Sequence, residues 1–141
     1  MVDRVLIPTD GSNQADAACE LAAEKFPDAT LVLLHILSPA ETNYEPEDSP
    51  SSQSEWYDQV RDRAERFLEE TSERAAERGN EVESIVETGG VADVIVEVAA
   101  RDDIDRIVMG SHSREGPARI LLGSVAETVI RRSPVPVTVA K

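Results

Sequence analysis

The sequence alternates between short apolar runs and longer stretches whose apolar residues recur at helical spacing. Runs at 4–7, 30–37 and 106–109 are largely apolar on both faces, which is typical of strands buried inside a sheet. Residues 82–86 alternate apolar and polar side chains, and 136–140 forms a last strand-like run that contains one proline and follows another closely. The pattern therefore predicts five strands.

Between these runs, apolar residues return every three or four positions, which predicts helices. The first helix follows Ser12, a residue suited to capping, and stops at Pro27. Further helices are predicted over 56–75, 91–100 and 124–132. Strands that alternate with helices form a parallel sheet covered on both faces, because parallel neighbours need a crossover connection. We expect a doubly wound, Rossmann-like α/β fold with the order βαβαβαβαβ.

The chain of 141 residues suits a single domain, 1–141, since domains most often run to about 100–150 residues. Residues 38–54 contain three prolines with acids and serines but no periodicity, which predicts a mobile loop. No apolar run reaches the roughly 18–20 residues of a membrane helix, and the N-terminus leads into a strand rather than a signal peptide. We expect a cytoplasmic protein with no membrane partner.

The charge balance is strongly acidic, with 28 acidic residues against 14 basic ones and a formal net charge of -14. Such a charge repels phosphate backbones and argues against a nucleic-acid partner of the basic-patch kind. Twelve of the basic residues are Arg and only Lys25 and Lys141 are Lys. One interpretation is a halophilic protein whose acidic surface suits a high-salt cytoplasm, and the other is a surface that only aids solubility.

Cys19 and His35 belong to residue types that often take part in catalysis or metal binding, but the sequence favours a structural role for each. Cys19 is the only cysteine and lies among small and apolar residues, so we expect it to pack as a small hydrophobic side chain without a redox or metal role. His35 lies within an apolar strand, which favours a hydrogen-bonded core histidine over a ligand or a base. Histidines and carboxylates do not cluster at metal-ligand spacing, so no metal site is predicted.

Two segments follow predicted strand ends, where ligands of doubly wound sheets bind. One is 8–12, and the other is MGSHSREGPARILLGS, 109–124, which leaves a strand and enters a helix at Gly123 and Ser124. Amides at a helix N-terminus attract anions, and glycine lets a phosphate approach the backbone. A connection of this kind also uses glycine for geometry alone, so the turn by itself leaves both interpretations open.

The turn is similar to the nucleotide-binding motif of universal stress proteins. In that motif a glycine, two residues, a second glycine, nine residues and Gly-Ser follow one another, and here the second position is Ser113. The resemblance covers nearly the whole chain. It is carried by VLIPTDGS at 5–12, LLHIL at 33–37, IVMGSHS at 107–113, ILLGSVAETVI at 120–130 and SPVPVTV at 133–139.

This resemblance implies a set of nucleotide contacts. Asp10 and Ile36 would contact the adenine or the ribose neighbourhood, and Thr9 is a further candidate. The ribose and phosphates would be surrounded by Gly110, Ser113, Arg114, Gly123, Ser124 and Val125, with Met109, Ser111 and His112 lining the same turn. Asp10 has helix capping as its alternative role. For His112 the alternative to donating to a phosphate is orienting the loop.

The resemblance also implies a function, namely a regulatory protein of the stress response that binds ATP, or AMP or ADP, with at most slow hydrolysis. A Mg²⁺ ion would arrive with the phosphates, leaving Asp10 or Ser124 to offer an oxygen. Gly123 and Ser124 adjoin without the Lys of a P-loop, which disfavours fast phosphoryl transfer, and no catalytic residue is predicted. The alternative is a dimeric interaction protein whose glycine motif has decayed at Ser113.

Two further expectations concern partners and related folds. The resemblance implies a homodimer that pairs through the last strand, and Val135, Val137 and Val139 would form that edge here. A phosphorelay receiver shares the broad fold but would need several acidic residues after the first strand and a Lys after the last. Asp10 stands alone and no such Lys precedes Lys141, so we set the receiver aside.

Overall fold

Nine elements alternate along the chain in a computed structural model that describes residues 2–10, 13–37, 50–110 and 124–140. The order βαβαβαβαβ predicted from the sequence is confirmed. The elements are β1 (Arg4–Pro8), α1 (Asn13–Lys25), β2 (Thr30–Leu37), α2 (Pro50–Glu77), β3 (Glu81–Thr88), α3 (Val91–Arg101), β4 (Arg106–Gly110), α4 (Ser124–Arg132) and β5 (Val137–Ala140).

The five strands form one parallel sheet in the spatial order β3-β2-β1-β4-β5. The chain therefore builds outward from β1 to β3 and then crosses back to place β4 on the other side of β1. This reversal makes the gap between β1 and β4 the switch point of the sheet. The doubly wound α/β fold predicted from the sequence is confirmed.

Successive side chains of each buried strand enter two separate cores, as the two-residue period of a strand requires. Val5 and Ile7 pack with α1 and α2 on one face of the sheet. Leu6 packs on the opposite face, where α3 and α4 supply the cover. Strands covered on both faces must be apolar throughout, which explains why the runs at β1, β2 and β4 lack alternation.

The second helix begins earlier than the sequence suggests. Its first residue is Pro50, so the predicted mobile loop 38–54 is wrong over 50–54, and residues 38–49 lie outside the described residues. Proline suits the first turn of a helix because its missing N–H has no helical partner there. At the other end, Gly79 adopts a φ of +102°, a conformation that favours glycine, and the helix ends just before it.

The amino edge of the sheet is tied together by Asp105, which precedes β4. Its Oδ2 accepts hydrogen bonds from the backbone N–H groups of Asp3 at 2.9 Å and Arg4 at 3.0 Å. These bonds stabilise the carboxylate and lower the pKa of Asp105 below its usual value. Within the described segments, every helix is too short or too polar to cross a membrane.

Candidate functional site

The carboxyl ends of β1 and β4 meet at the switch point of the sheet. The two strands pair in parallel, Val5 with Arg106 and Leu6 with Ile107, so the residues that follow them emerge at the same edge. Ligands of doubly wound sheets bind at this position. The geometry singles out 9–10 after β1 and the last residues of β4 as the candidate site.

Thr9 is the first residue beyond β1 and is 6 % exposed. Its backbone N–H donates to the carbonyl oxygen of Leu34 at 2.8 Å, which extends the contact between β1 and β2 by one residue. Its side-chain Oγ1 is buried, and no described group forms a hydrogen bond with it. A buried hydroxyl without a partner is destabilising, and such an atom is a candidate contact for a bound group.

His35 of β2 lies beside Thr9. Its Nδ1 is 2.8 Å from the carbonyl oxygen of Thr9, and its ring meets the ring of Phe67 edge-to-face with centroids 4.8 Å apart and an interplanar angle of 88°. The sequence-based expectation of a hydrogen-bonded histidine is confirmed. The contact with Thr9 was not predicted, because the two residues lie 26 positions apart and meet only through the β1–β2 pairing.

Ile36 and Met109 provide buried apolar surface near the same edge. They are 9 % and 5 % exposed, and both belong to the core on the α3 and α4 face. Gly110, the last residue of β4, is buried, whereas Asp10 is exposed beyond β1. The edge therefore combines an apolar base with a carboxylate that reaches solvent.

The N-terminus of α4 faces the same edge of the sheet. Since β4 and β5 are parallel neighbours, the helix that connects them starts at the carboxyl edge and returns to the amino edge. Ser124, its first residue, is exposed, and Val125 is partly buried against the α3 and α4 core. The N–H groups in the first turn of a helix carry partial positive charge, which suits an anion.

The structure thus brings together at one edge seven of the residues singled out from the sequence. They are Thr9, Asp10, Ile36, Met109, Gly110, Ser124 and Val125. The other predicted site residues, Ser111, His112, Ser113, Arg114 and Gly123, lie outside the described residues, and their roles remain predictions. In the described parts of the chain, His, Cys, Asp and Glu side chains form no group of three or more that would hold a metal ion.

A separate open groove of about 480 Å³ lies between α1 and α2. Arg74 and Asp16 form an ion pair across it with a distance of 3.2 Å between Nη2 and Oδ1. Cys19 in its floor is 7 % exposed, and burial, followed by the nearby Asp16 carboxylate, raises the pKa of its thiol to about 11. At neutral pH this thiol is protonated, which agrees with the packing role expected from the sequence.

Comparison with known proteins gives consistent matches along the full chain. The universal stress protein YxiE of Bacillus subtilis is 30% identical, and the alignment covers 100% of both proteins. The solved structure of MJ0577, a universal stress protein of Methanocaldococcus jannaschii, superposes with a TM-score of 0.86 at 29% identity and covers 100% of this chain and 96% of that one. A universal stress protein solved in complex with cAMP gives a TM-score of 0.70 at 26% identity, with 99% and 97% covered. The family model described as "Universal stress protein family" matches residues 1–141.

Proposed function

The chain belongs to the universal stress protein family, and from this premise we propose that it binds an adenine nucleotide and acts as a regulatory protein of the cytoplasmic stress response. The observation that carries the proposal is the meeting of Thr9 and Asp10 with the end of β4 at the switch point, beside the N-terminus of α4. This edge offers a buried hydroxyl, an exposed carboxylate, an apolar base and helix amides. Groups of these kinds can contact the base, the ribose and the phosphates of a nucleotide.

Each part of the nucleotide has a matching group at this edge. The apolar surface of Ile36 and Met109 suits the adenine ring, and the carboxylate of Asp10 suits the ribose hydroxyls. The amides of the first turn of α4, with the hydroxyl of Ser124, suit the phosphates. Gly110 has no Cβ, so the phosphates can approach the end of β4 closely. The turn residues Ser111, His112, Ser113, Arg114 and Gly123 complete the proposed site.

We propose ATP as the nucleotide, with ADP and AMP as alternatives. A related protein, 26% identical, has been solved in complex with cAMP, which shares the adenine and the ribose. The net charge of -14 opposes an anionic ligand, but charges beyond about 8 Å are largely screened at physiological salt. The amides of α4 act at contact distance and are therefore the stronger influence.

A magnesium ion would fit this site only as a companion of the phosphates. The described residues hold no cluster of three or more potential metal ligands, and Mg²⁺ commonly uses one or two protein oxygens together with phosphate oxygens. Asp10 or Ser124 would then offer it a protein oxygen. We assign no catalytic residue, and hydrolysis is at most slow.

We also propose that two copies pair through β5. This strand is one edge of the sheet, since β4 is its neighbour on one side and no described strand lies on the other. Val137 and Val139 are partly exposed along it, and Val135 precedes it. An edge strand with unpaired backbone groups and apolar side chains is suited to pairing with a second copy.

The direct test is to denature the purified protein, separate the small molecules and look for adenine absorbance. The proposal predicts a bound adenine nucleotide, or saturable binding of added ATP if the nucleotide is lost during purification. Gly123→Val is the matched control, because a branched side chain at the start of α4 would block the amides. A parent protein that neither releases a nucleotide nor binds ATP would instead favour the dimeric interaction protein with a decayed motif.

A further inference from the structure

We propose that His35 is a positioning residue of the nucleotide site, which fixes the peptide that follows β1 by holding the carbonyl oxygen of Thr9. The ring is itself held by Phe67 of α2, so this helix acts on the site through the Phe67–His35 contact. The effect on nucleotide affinity rests on the function proposed above. The effect on the local backbone does not.

Both backbone polar groups of Thr9, its N–H and its carbonyl oxygen, contact residues of β2. The regular pairing of β1 with β2 ends at Pro8 opposite Leu34. One residue later, the N–H of Thr9 still donates to Leu34 at 2.8 Å, but its carbonyl oxygen lies 2.8 Å from the Nδ1 of His35. The imidazole side chain of His35 therefore contacts the Thr9 carbonyl oxygen at the point where β1 ends and the candidate site begins.

The contact with a carbonyl oxygen determines which ring nitrogen of His35 carries the proton. A carbonyl oxygen only accepts hydrogen bonds, so Nδ1 carries the proton and donates it. The edge-to-face contact with Phe67, at 4.8 Å and 88°, holds the ring in the plane that this bond requires. Phe67 is partly buried against the α1 and α2 core, so α2 sets the orientation of the donor.

The consequence for binding follows from what the Thr9 peptide carries. Its orientation decides where the Oγ1 of Thr9 points and where the chain places Asp10. This hydroxyl has no hydrogen-bond partner in the described part of the chain. If the Thr9 peptide is already fixed before the nucleotide binds, binding does not have to offset the entropy lost in ordering it. Without the His35 donor, the Thr9 hydroxyl and the Asp10 carboxylate are still present, but the ligand itself must order them.

The test compares His35→Asn with His35→Leu. The two replacements have nearly the same shape, and both lose the ring contact with Phe67. Only Asn keeps a nitrogen donor as many bonds from Cβ as Nδ1. We expect His35→Leu to bind ATP about three- to tenfold more weakly than His35→Asn in calorimetric titration at a temperature where both are folded, as the loss of one net hydrogen bond implies.

A second measurement separates positioning from general destabilisation. In the ligand-free protein, His35→Leu should speed amide hydrogen exchange at Thr9 and Asp10 relative to His35→Asn, while Val108 in the centre of β4 exchanges at the same rate in both. Equal exchange at Thr9 and Asp10 in the two variants would overturn the positioning role. Faster exchange together with equal ATP affinities would overturn its effect on binding, and a parent protein without ATP binding would refute the proposed function while leaving the exchange result decisive for the local role.

Discussion

Replacing Thr9 by valine should stabilise the ligand-free protein while it weakens nucleotide binding. Valine has the shape of threonine and suits the extended backbone after β1. The Oγ1 that it removes is buried and finds no partner among the described residues. Burying a hydroxyl without a hydrogen bond costs about 1–3 kcal/mol, so we expect Thr9→Val to raise the free energy of unfolding by about 1 kcal/mol. For a chain of 141 residues this is about 3–4 °C in Tm.

Thr71 in α2 provides the matched control. It is 4 % exposed, comparable to Thr9, but its Oγ1 accepts a hydrogen bond from Nη2 of Arg74 at 3.3 Å. Thr71→Val removes a satisfied hydroxyl and should lower the free energy of unfolding by about 0.5–1 kcal/mol. The two substitutions make the same chemical change. A higher Tm for Thr9→Val together with a lower Tm for Thr71→Val would therefore attribute the difference to whether the hydroxyl has a hydrogen-bond partner.

The nucleotide reverses the advantage of Thr9→Val. If the hydroxyl bonds the ligand, its loss should weaken ATP binding about tenfold, or about 1.4 kcal/mol. At a concentration of about 100 times the parent Kd, ATP would add about 2.7 kcal/mol to the stability of the parent but only about 1.4 kcal/mol to that of the variant. The reasoning is refuted if Thr9→Val lowers the ligand-free Tm as Thr71→Val does. If Thr9→Val leaves the ATP affinity unchanged, the Thr9 hydroxyl does not contact the nucleotide.

Three further predictions concern the whole molecule. The unfolding midpoint should rise between about 0.1 M and 2 M potassium chloride, because salt screens the repulsion within a chain of charge -14, and an unchanged midpoint would contradict the halophilic interpretation. Asp105→Ala should be less stable than the parent in urea at neutral pH. Because the pKa of Asp105 is lowered by folding, its contribution is present above about pH 4 and is lost as the pH falls through the folded pKa, so the two unfolding curves should converge in acid and a constant gap would be contrary evidence. Light scattering at micromolar concentration should give twice the chain mass of 15.4 kDa, and a species of 15.4 kDa alone would rule out the dimer.

The elements with strong apolar patterns were predictable to within a residue or two. β2 at Thr30–Leu37 and α4 at Ser124–Arg132 have the predicted bounds, because a strand buried on both faces requires a continuous apolar run and an amphipathic helix imposes its period on the sequence. The start of α2 was missed because 50–54 carries no apolar spacing. Periodicity depends on apolar residues, so it gives no signal for a helical turn that lacks them.

The candidate site was predictable in position but not in detail. The fold rule places ligands after strand ends, and the resemblance to the family supplied the residues. The sequence could not predict that His35 contacts Thr9, nor that the Thr9 hydroxyl finds no hydrogen-bond partner among the described residues. Both depend on the register of β1 against β2 and on the packing of Phe67, which are properties of the folded chain.

The central claim is that this chain binds an adenine nucleotide although Ser113 replaces a glycine of the family motif. If the turn requires a positive φ there, a serine costs about 1–2 kcal/mol, or about five- to thirtyfold in affinity, and a hydrogen bond from its hydroxyl to a phosphate offsets part of that loss. Calorimetric titration of the parent and Ser113→Gly with ATP in matched salt is the most direct test. We predict micromolar binding by the parent and a change of less than about thirtyfold in Ser113→Gly. No binding by the parent, with binding restored in Ser113→Gly, would show that the motif has decayed and would contradict the account.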